Sequence, residues 1–575
     1  MFSYINIVLL IVIVQAIRTL YFFYEFVQKA KATGLPYTYS PVIELQTISF
    51  LTDPILRWAL GSYLMRGDGW PRWARFMIRE WMYEDKGRAH AEYGDVFLVV
   101  SPGGIICYVG NAQVAMQVAQ KRKSFIKPAE KMKMLEPFGP NVVSTEGDIW
   151  RFHIRITLPP FGEAVNRLVW DETMRQTHML ITSWAEHGSR SLKSDIYLLT
   201  VNVMSCVAFG QQAEWTDDAN AIPAGHSLTL VKAIYGVVMN LPLILLIPKL
   251  ILRYGPWKHV YEAYSEYEKY MNELLEEEKR RMNNGQRDDG LAKGNLLTAV
   301  LKENDSSGRE KQIMKGPGGR LSLTDEEIKG NVFIFLLAGY DTTANTILYS
   351  SLILTLHPHI QDAVIAENIR IHAMARTAGR KSLCFDHDLP KFRYLLAFMY
   401  EVMRVFPIVI PIGRVTPPTT SEVLNGATLP PGTGVVINIT GIHYNTTHWP
   451  SPAVIDPRRW LCSSPNAFDP NNPSAQHLAE VEAGTNTIPS HQRGSFMTFN
   501  EGPRACLGKR FAQVEFIAFF SCLLEQHTLR LAKDLDGAEV EKMLRLRAGG
   551  SPVTLTPPED VKVYLTPHAQ LNGAE

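Results

Sequence analysis

The sequence predicts a mainly α protein with a smaller β region (α+β): one globular domain behind an N-terminal membrane anchor. Three observations carry this. Helical periodicity dominates from about Asp171 to Glu278 and returns in two strongly apolar stretches, "EEIKGNVFIFLLAGYDTTANTILYSSLILTLHP" and "YLLAFMYEVMRVFP". Strand signals are few and short, a Pro-Gly-Gly hairpin in "GDVFLVVSPGGIICYVG" and β-branched runs in "GATLPPGTGVVINIT". The chain opens on "YINIVLLIVIVQAI", Tyr4 to Ile17, without a charge.

Composition bounds the class. The 575 residues are 46% hydrophobic and 20% charged, with a formal net charge of +1. Such a balance builds a large core and argues against a nucleic-acid partner, which draws a clear basic excess. The six cysteines, at 107, 206, 384, 462, 506 and 522, show no paired spacing, so neither a zinc ribbon nor a disulfide framework is indicated. Unpaired thiols fit a reducing compartment.

In chain order, residues 1–31 read as an anchor and its flank. A spanning helix needs about 20 apolar residues, which this run reaches only if Arg18 snorkels to the headgroups. No basic segment precedes the run and no small-x-small site follows it, so an uncleaved anchor is preferred to a removed signal peptide. Arg18, Lys29 and Lys31 come after it, which by the positive-inside rule leaves the body in the cytosol. Residues 32–56, with "GLPYTYSP", read as a stiff linker, and 57–575 as the domain. Between 57 and 81, arginines alternate with Trp58, Trp70, Trp73 and Trp81, a mixture that suits either a bilayer surface or an amphipathic helix against the core. Residues 233–252 are nearly charge-free but contain Pro242 and Pro248; a loop dipping into one leaflet is expected, with a buried core helix as the alternative. Residues 283–320 read as a mobile surface loop and 463–493 as a polar insertion. No internal repeat and no G-x-G-x-x-G nucleotide fingerprint occurs.

The chemistry concentrates in "FNEGPRACLGKRF", Phe499 to Phe511. Cys506 stands ahead of an apolar, helix-forming stretch, where the free N–H groups of a helix N-terminus favour a thiolate. Gly502 and Gly508 let the backbone approach something flat and large, and Arg504 offers a fork for a carboxylate. Together these describe a haem held through a thiolate axial ligand. The cysteine by itself does not outrank a buried, inert thiol.

Two further motifs lie on apolar helices. In "AGYDTT", Ala338 to Thr343, a capping box of Thr324 and Glu327 starts the helix. Asp341 and Thr342 then fall in a buried run, and a buried carboxylate needs a partner, water or a task. Gly339 costs about 1 kcal/mol relative to alanine in a helix interior, and a local widening there would admit dioxygen or water. Thr343, rather than Thr342, is expected to bond back to the preceding turn. Glu401 and Arg404 are three apart among apolar neighbours, which implies burial and a bidentate network.

Phe499, Gly502, Arg504, Cys506 and Gly508 match F-x-x-G-x-R-x-C-x-G. With "AGYDTT", the Glu401–Arg404 pair, "PRRW" (Pro457, Arg459, Trp460) and "EGDIWRFHIRITLPPF", the chain resembles the cytochrome P-450 family over essentially its whole length. Within that family it is similar to fungal microsomal members that decorate terpenoid, polyketide or polyketide–peptide skeletons. The resemblance implies the cytochrome P-450 fold, haem b with Cys506 as axial thiolate, and a monooxygenase that hydroxylates or otherwise oxidises its substrate with dioxygen. It implies Asp341 and Thr342 as an acid–alcohol pair that relays protons, and Glu401, Arg404 and Arg459 as a network bracing the cysteine loop. Phe499 and Gly508 are expected against the haem, with Trp150, Arg414 and Arg504 at its propionates.

One departure stands out. Family members place an arginine four residues after the tryptophan; here Ile154 sits there, and Arg155 follows about 100° further round the helix. Arg155 is therefore a candidate propionate partner, and His153 either a helper or a surface histidine. Phe335, Ala338, Val409, Ile410 and Ile412 are expected to line a pocket for a lipophilic substrate. The resemblance also implies an NADPH-dependent cytochrome P-450 reductase in the same membrane, the endoplasmic reticulum, with Lys509 and Arg510 as part of its docking face or simply as solvated charges. The alternatives are a reductase-independent haem-thiolate isomerase or dehydratase, against which the intact "DTT" argues, and a non-catalytic membrane haem-binding protein. A sterol or fatty-acid oxidase is the competing substrate class.

Overall fold

The apolar run that opens the sequence becomes α1, Tyr4–Ala32, a helix of 29 residues. It belongs to a computed structural model that describes residues 4–42, 49–187, 191–215, 222–284, 295–309, 322–483, 491–549 and 554–568. At 1.5 Å per residue α1 is roughly 43 Å long, against a hydrocarbon layer of about 30 Å. The helix continues through Arg18 without a break. From Leu9 to Ile17 its apolar side chains are exposed, whereas Val27 and Ala30 are buried. That end packs with Phe23 and Phe26 into the small core beside the main sheet.

The stiff linker is not free chain. Tyr37–Tyr39 forms β1, which pairs parallel with β2 (Val96–Ser101), Tyr37 opposite Leu98. Residues 43–48 of the expected linker lie outside the described residues. The Pro-Gly-Gly hairpin joins β2 to β3 (Gly104–Val109), as its alternating β-branched residues require. The sheet runs β1–β2–β3–β7–β4, with β4 at Pro411–Val415 and β7 at Gly434–Asn438; β5 (Glu422–Leu424) and β6 (Ala427–Leu429) pair beside it. The last residues of the expected linker are helical: 49–56 open α2 (Ser49–Arg66), held through Arg57, which reaches Asp53 at 3.0 Å and Glu84 at 2.7 Å. The tryptophans of 57–81 divide: Trp70 and Trp81 are core, while Trp58 and Trp73 are exposed.

Helices build most of the rest, among them α3 (Gly147–Thr157), α4 (Glu163–His187), α5 (Leu192–Phe209), α6 (Leu230–Met239), α7 (Leu241–Leu246), α8 (Lys249–Tyr254), α9 (Lys258–Asn283), α10 (Leu296–Arg309), α11 (Asp325–Leu356), α12 (Arg393–Val405) and α13 (Lys509–Leu523); strands His527–Leu531 and Val563–Pro567 pair as a further antiparallel sheet. The capping box forms as expected: Thr324 accepts from the Glu327 N–H, and Glu327 accepts from the Thr324 N–H at 2.8 Å. The 32-residue α11 runs through the core against α5, α12 and α13. It and α5 are long and apolar enough to cross a bilayer, yet both are mostly buried in protein, while the N-terminal helix is not.

Two expectations change. Residues 233–252 form neither a loop nor one core helix. They belong to α6, α7 and α8, with Pro242 in the first turn of α7 and Pro248 capping α8, positions where a missing N–H costs nothing. Ala233, Val237, Leu241 and Leu252 are buried, while Leu246, Leu250, Ile251 and Tyr254 are exposed. The expected loop 283–320 contains α10, its stretches 285–294 and 310–320 falling outside the described residues. The polar insertion holds a helix, Ala475–Ala483.

Candidate active site

A cavity of about 480 Å³ opens between α11 and the loop before α13, and Cys506 lines it. The loop is shaped by its backbone. Cys506 N–H donates to the Phe499 carbonyl at 2.8 Å, and the Asn500 amide donates to the Arg504 carbonyl at 2.9 Å. Gly502 has φ +74°, and a Cβ there would stand 2.9 Å from the Ala119 carbonyl oxygen, so only glycine fits. Phe499, Arg504 and Gly508 also line the cavity. α13 begins at Lys509, so Cys506 stands ahead of the first turn rather than in it. The sulfur is open to the cavity but otherwise enclosed. That burial pushes the thiol up, with the Gly508 N–H and Lys509 opposing. A bound metal would hold this sulfur as a thiolate, because coordination deprotonates a thiol outright.

α11 supplies the facing wall through Phe335, Ala338, Gly339, Thr342 and Thr343. The helix is unbroken at Gly339, and the expected widening is not seen. A Cβ there would meet the Met204 sulfur of α5 at 2.7 Å, so a larger residue would have to displace that flexible side chain. Back-bonding falls on the other threonine: the Thr342 hydroxyl donates to the Ala338 carbonyl at 2.7 Å, while Thr343 stands beside Glu515. Asp341 is not among the lining residues. It turns away and accepts from the Tyr197 hydroxyl at 3.0 Å and the Thr554 hydroxyl at 2.6 Å, with the Asn345 amide at 3.3 Å. Burial pushes its carboxyl up, against the pull of Thr554 and Tyr197. The buried acid has found its partners.

Lys127, Arg414 and Arg504 converge on the rim, with Trp150 among them. Arg504 meets Glu146 at 2.8 Å and lies 4.2 Å over the Trp150 ring. Burial, then repulsion from Arg504, pushes Arg414 down to about 10, and Lys127 falls to about 7 through burial and both arginines. Among the described residues Glu146 is the carboxylate that opposes them. One carboxylate against three largely buried cations leaves positive charge unbalanced; the two propionates of a haem would supply the rest. A facing sulfur, a basic rim and apolar walls fit haem b. Arg155 does not join the rim. Ile154 lines the cavity, and one residue of helical rotation places the Arg155 guanidinium over the Phe152 ring, 5.1 Å away. Lys127, from an earlier segment, brings the third cation. His153 is not on the surface either: it is fully buried, its Nδ1 2.9 Å from the Asn331 amide and its Nε2 3.5 Å from Glu327, tying α3 to α11.

The bracing network is complete. Glu401 accepts from Arg404 Nε and Nη2 at 2.9 and 2.8 Å, Arg459 Nε at 3.0 Å, Trp460 Nε1 at 3.0 Å and the Asp456 N–H at 3.0 Å. Glu401, Arg404 and Arg459 are all fully buried. Burial alone would raise the carboxyl; the two guanidiniums overcome it and pull it down to about 2. His443 carries the network to the cysteine loop. Its Nδ1 is 3.0 Å from the Arg404 carbonyl and its Nε2 accepts from the Met497 N–H at 3.1 Å, which requires a neutral ring with the proton on Nδ1. Burial, reinforced by Arg404, pushes this histidine down to about 3.

Val409 and Ile412 line the cavity as expected, together with Phe161, Met204 and Ile408. Ile410 does not; it is buried elsewhere and its carbonyl accepts the Ile439 N–H at 3.1 Å. Lys509 and Arg510 are exposed at the start of α13. Sequence reasoning missed Lys127, Tyr197, His443 and Thr554, whose partners lie far away in the chain.

The family model for Cytochrome P450 matches residues 73–547. "Cytochrome P450 monooxygenase ORF6" of Penicillium roqueforti is 38% identical over 573 residues, 97% of this chain and 96% of the relative. The "Phomenoic acid biosynthesis cluster cytochrome P450 monooxygenase" of Leptosphaeria maculans is 24% identical over 572 residues, 94% of this chain and 93% of the relative. The solved cytochrome P450DA heme domain shares the fold, with a TM-score of 0.64 at 17% identity over 93% of this chain and 98% of that one. With its relatives, its fold and its single cavity-facing thiol in agreement, the chain belongs to the cytochrome P450 family of oxidoreductases, whose haem iron is held by a cysteine.

Proposed function

We propose that this chain is a membrane-anchored monooxygenase in which Cys506 holds the haem iron. It takes electrons from NADPH through a cytochrome P-450 reductase and uses dioxygen to hydroxylate or otherwise oxidise a lipophilic natural-product skeleton, terpenoid, polyketide or polyketide–peptide. One observation carries the reading: a single thiol and three cations that share one carboxylate, Glu146, meet at one apolar cavity. Bound there, the haem supplies oxygen activation, which a thiolate ligand favours.

The chain supplies the rest. Arg504, Arg414 and Lys127, with Trp150, hold the propionates. Phe335, Ala338, Val409 and Ile412 orient the substrate and exclude water. The Thr342 hydroxyl, at the cavity wall, passes protons when it swings off the Ala338 carbonyl; Asp341, fixed by Tyr197 and Thr554, backs it from the far side of α11. α1 anchors the domain in the endoplasmic reticulum with its body in the cytosol, and the exposed Lys509 and Arg510 belong to the reductase face. The apolar lining and the relative named for a biosynthesis cluster support the substrate class.

The test is turnover of a lipophilic substrate panel by the full chain in vesicles. Oxygenated product that depends on reductase, NADPH and dioxygen is the expected result. Product from a hydroperoxide alone, with no NADPH consumed, would replace the reading by an isomerase or dehydratase.

A further inference from the structure

α11 forms one wall of the cavity, and α5 packs against α11. Among the described residues of α5, Met204 is the one that nevertheless lines the cavity. It does so where the wall has no side chain. Gly339 stands one turn after Phe335 and one turn before Thr343, and all three line the cavity. A Cβ at Gly339 would lie 2.7 Å from the Met204 Sδ, 2.9 Å from its Cε and 3.6 Å from its Cγ. The thioether end of Met204 therefore fills the space that a side chain at position 339 would take. Its backbone is held in place: two turns earlier on the same face of α5, the Tyr197 hydroxyl donates to Asp341 of α11 at 3.0 Å. Beside the notch lies the Phe335 ring, met edge-on by Phe161 at 5.0 Å.

We propose that Met204 is a specificity-determining residue: seated in the notch at Gly339, it sets how bulky an apolar group of the substrate fits against α11 between Phe335 and Thr343. An unbranched thioether suits such a place, because it fills an irregular gap without the stiffness of a branched side chain. A shorter side chain at 204 opens a recess there, and a methyl at 339 closes it.

The consequence for substrate choice rests on the monooxygenase reading above; the shape of the cavity does not. The probes are imidazole and 4-phenylimidazole, whose ring nitrogen binds the iron of the haem-loaded full chain and shifts its Soret band without electrons or dioxygen. The ratio of their dissociation constants isolates the phenyl group. Met204→Ala should raise the preference for 4-phenylimidazole about tenfold and Gly339→Ala should lower it about tenfold, the scale on which an apolar pocket reads one methylene. Added to Met204→Ala, Gly339→Ala should change the preference by less than about twofold, because the side chain it displaces is gone. Met204→Leu, which keeps the core filled and reaches one atom less far, should shift the preference upward by about threefold; it decides the matter if Met204→Ala loads no haem. A preference within about twofold of wild type in each Met204 variant that loads haem, or an equal effect of Gly339→Ala with and without Met204, overturns the proposal. With reductase and NADPH, Met204→Ala should move the products of the lipophilic panel toward its bulkier members, and an unmoved profile overturns the role in substrate choice. Azole preferences that shift as stated in a chain with no NADPH-dependent turnover remove the monooxygenase reading and uphold the place of Met204 in the cavity wall.

Discussion

Replacing Glu401 with glutamine keeps the shape of the side chain and removes its charge. Two guanidiniums, those of Arg404 and Arg459, then remain fully buried without the carboxylate that both now share. Breaking a buried pair by deleting one partner costs about 3–5 kcal/mol, a large share of the roughly 5–15 kcal/mol that stabilises a folded protein. Because Arg404 also donates to the carbonyls of Pro452 at 2.7 Å and Val454 at 3.1 Å, the damage spreads to the segment carrying Arg459, and through His443 to the cysteine loop. The assay is guanidinium unfolding followed by fluorescence of the buried Trp449 and Trp460, together with haem content per chain. Glu401→Gln should lose most of its haem and unfold at a much lower denaturant concentration. A loss below about 1 kcal/mol with full haem loading would refute the reasoning.

The pH dependence has a definite sign. Glu401 titrates at about 2 in the fold against 4.5 outside it, so its stabilisation is full above 4.5 and disappears as the pH falls through 2. His443, depressed from 6.5 to about 3, likewise contributes less as the pH falls below 6.5. Glu515, raised from 4.5 to about 8, acts in the opposite sense and weakens the fold as the pH climbs through that range. Stability should therefore fall on both sides of a mildly acidic maximum, and Glu401→Gln should flatten only the acid side.

Lys127→Met should release haem to a scavenger about tenfold faster, the equivalent of one charged hydrogen bond of about 1.5 kcal/mol, while the haem-free chain becomes more stable because Arg414 and Arg504 lose a repelling neighbour. Thr342→Ala should keep haem and substrate binding yet divert reducing equivalents to peroxide, measured as peroxide per NADPH; unchanged coupling would remove Thr342 from proton delivery. Deleting residues 1–22 should abolish sedimentation with vesicles and leave the unfolding midpoint alone. Deleting 1–31 removes Val27 and Ala30 from the core as well, and should lower the unfolding free energy by about 2–3 kcal/mol.

What was legible in the sequence depended on distance along the chain. The cysteine loop, the capping box of α11 and the Glu401–Arg404 pair lie in windows of a few residues, where spacing alone fixes geometry. Ile154 and Arg155 mark the limit: the rotation between neighbours was known, but which of them faced the cavity depended on how α3 packs. Asp341 was recognised as an acid in need of partners, yet those partners, Tyr197 and Thr554, come from either side of it in sequence, 144 and 213 residues away. Glu515 carried a local signal, an ionisable residue inside "AQVEFIAFFSCLL", that the motif before it overshadowed. The prolines at 242 and 248 did forbid a single helix, but they separate three short helices instead of opening a loop.

The most direct test of the account is the carbon monoxide difference spectrum of the reduced full-length chain beside its Cys506→Ser variant. Thiolate ligation predicts a strongly red-shifted Soret band in the wild type and none in the variant. A wild type without that band, or a variant that keeps it, would contradict the assignment of Cys506 to the iron.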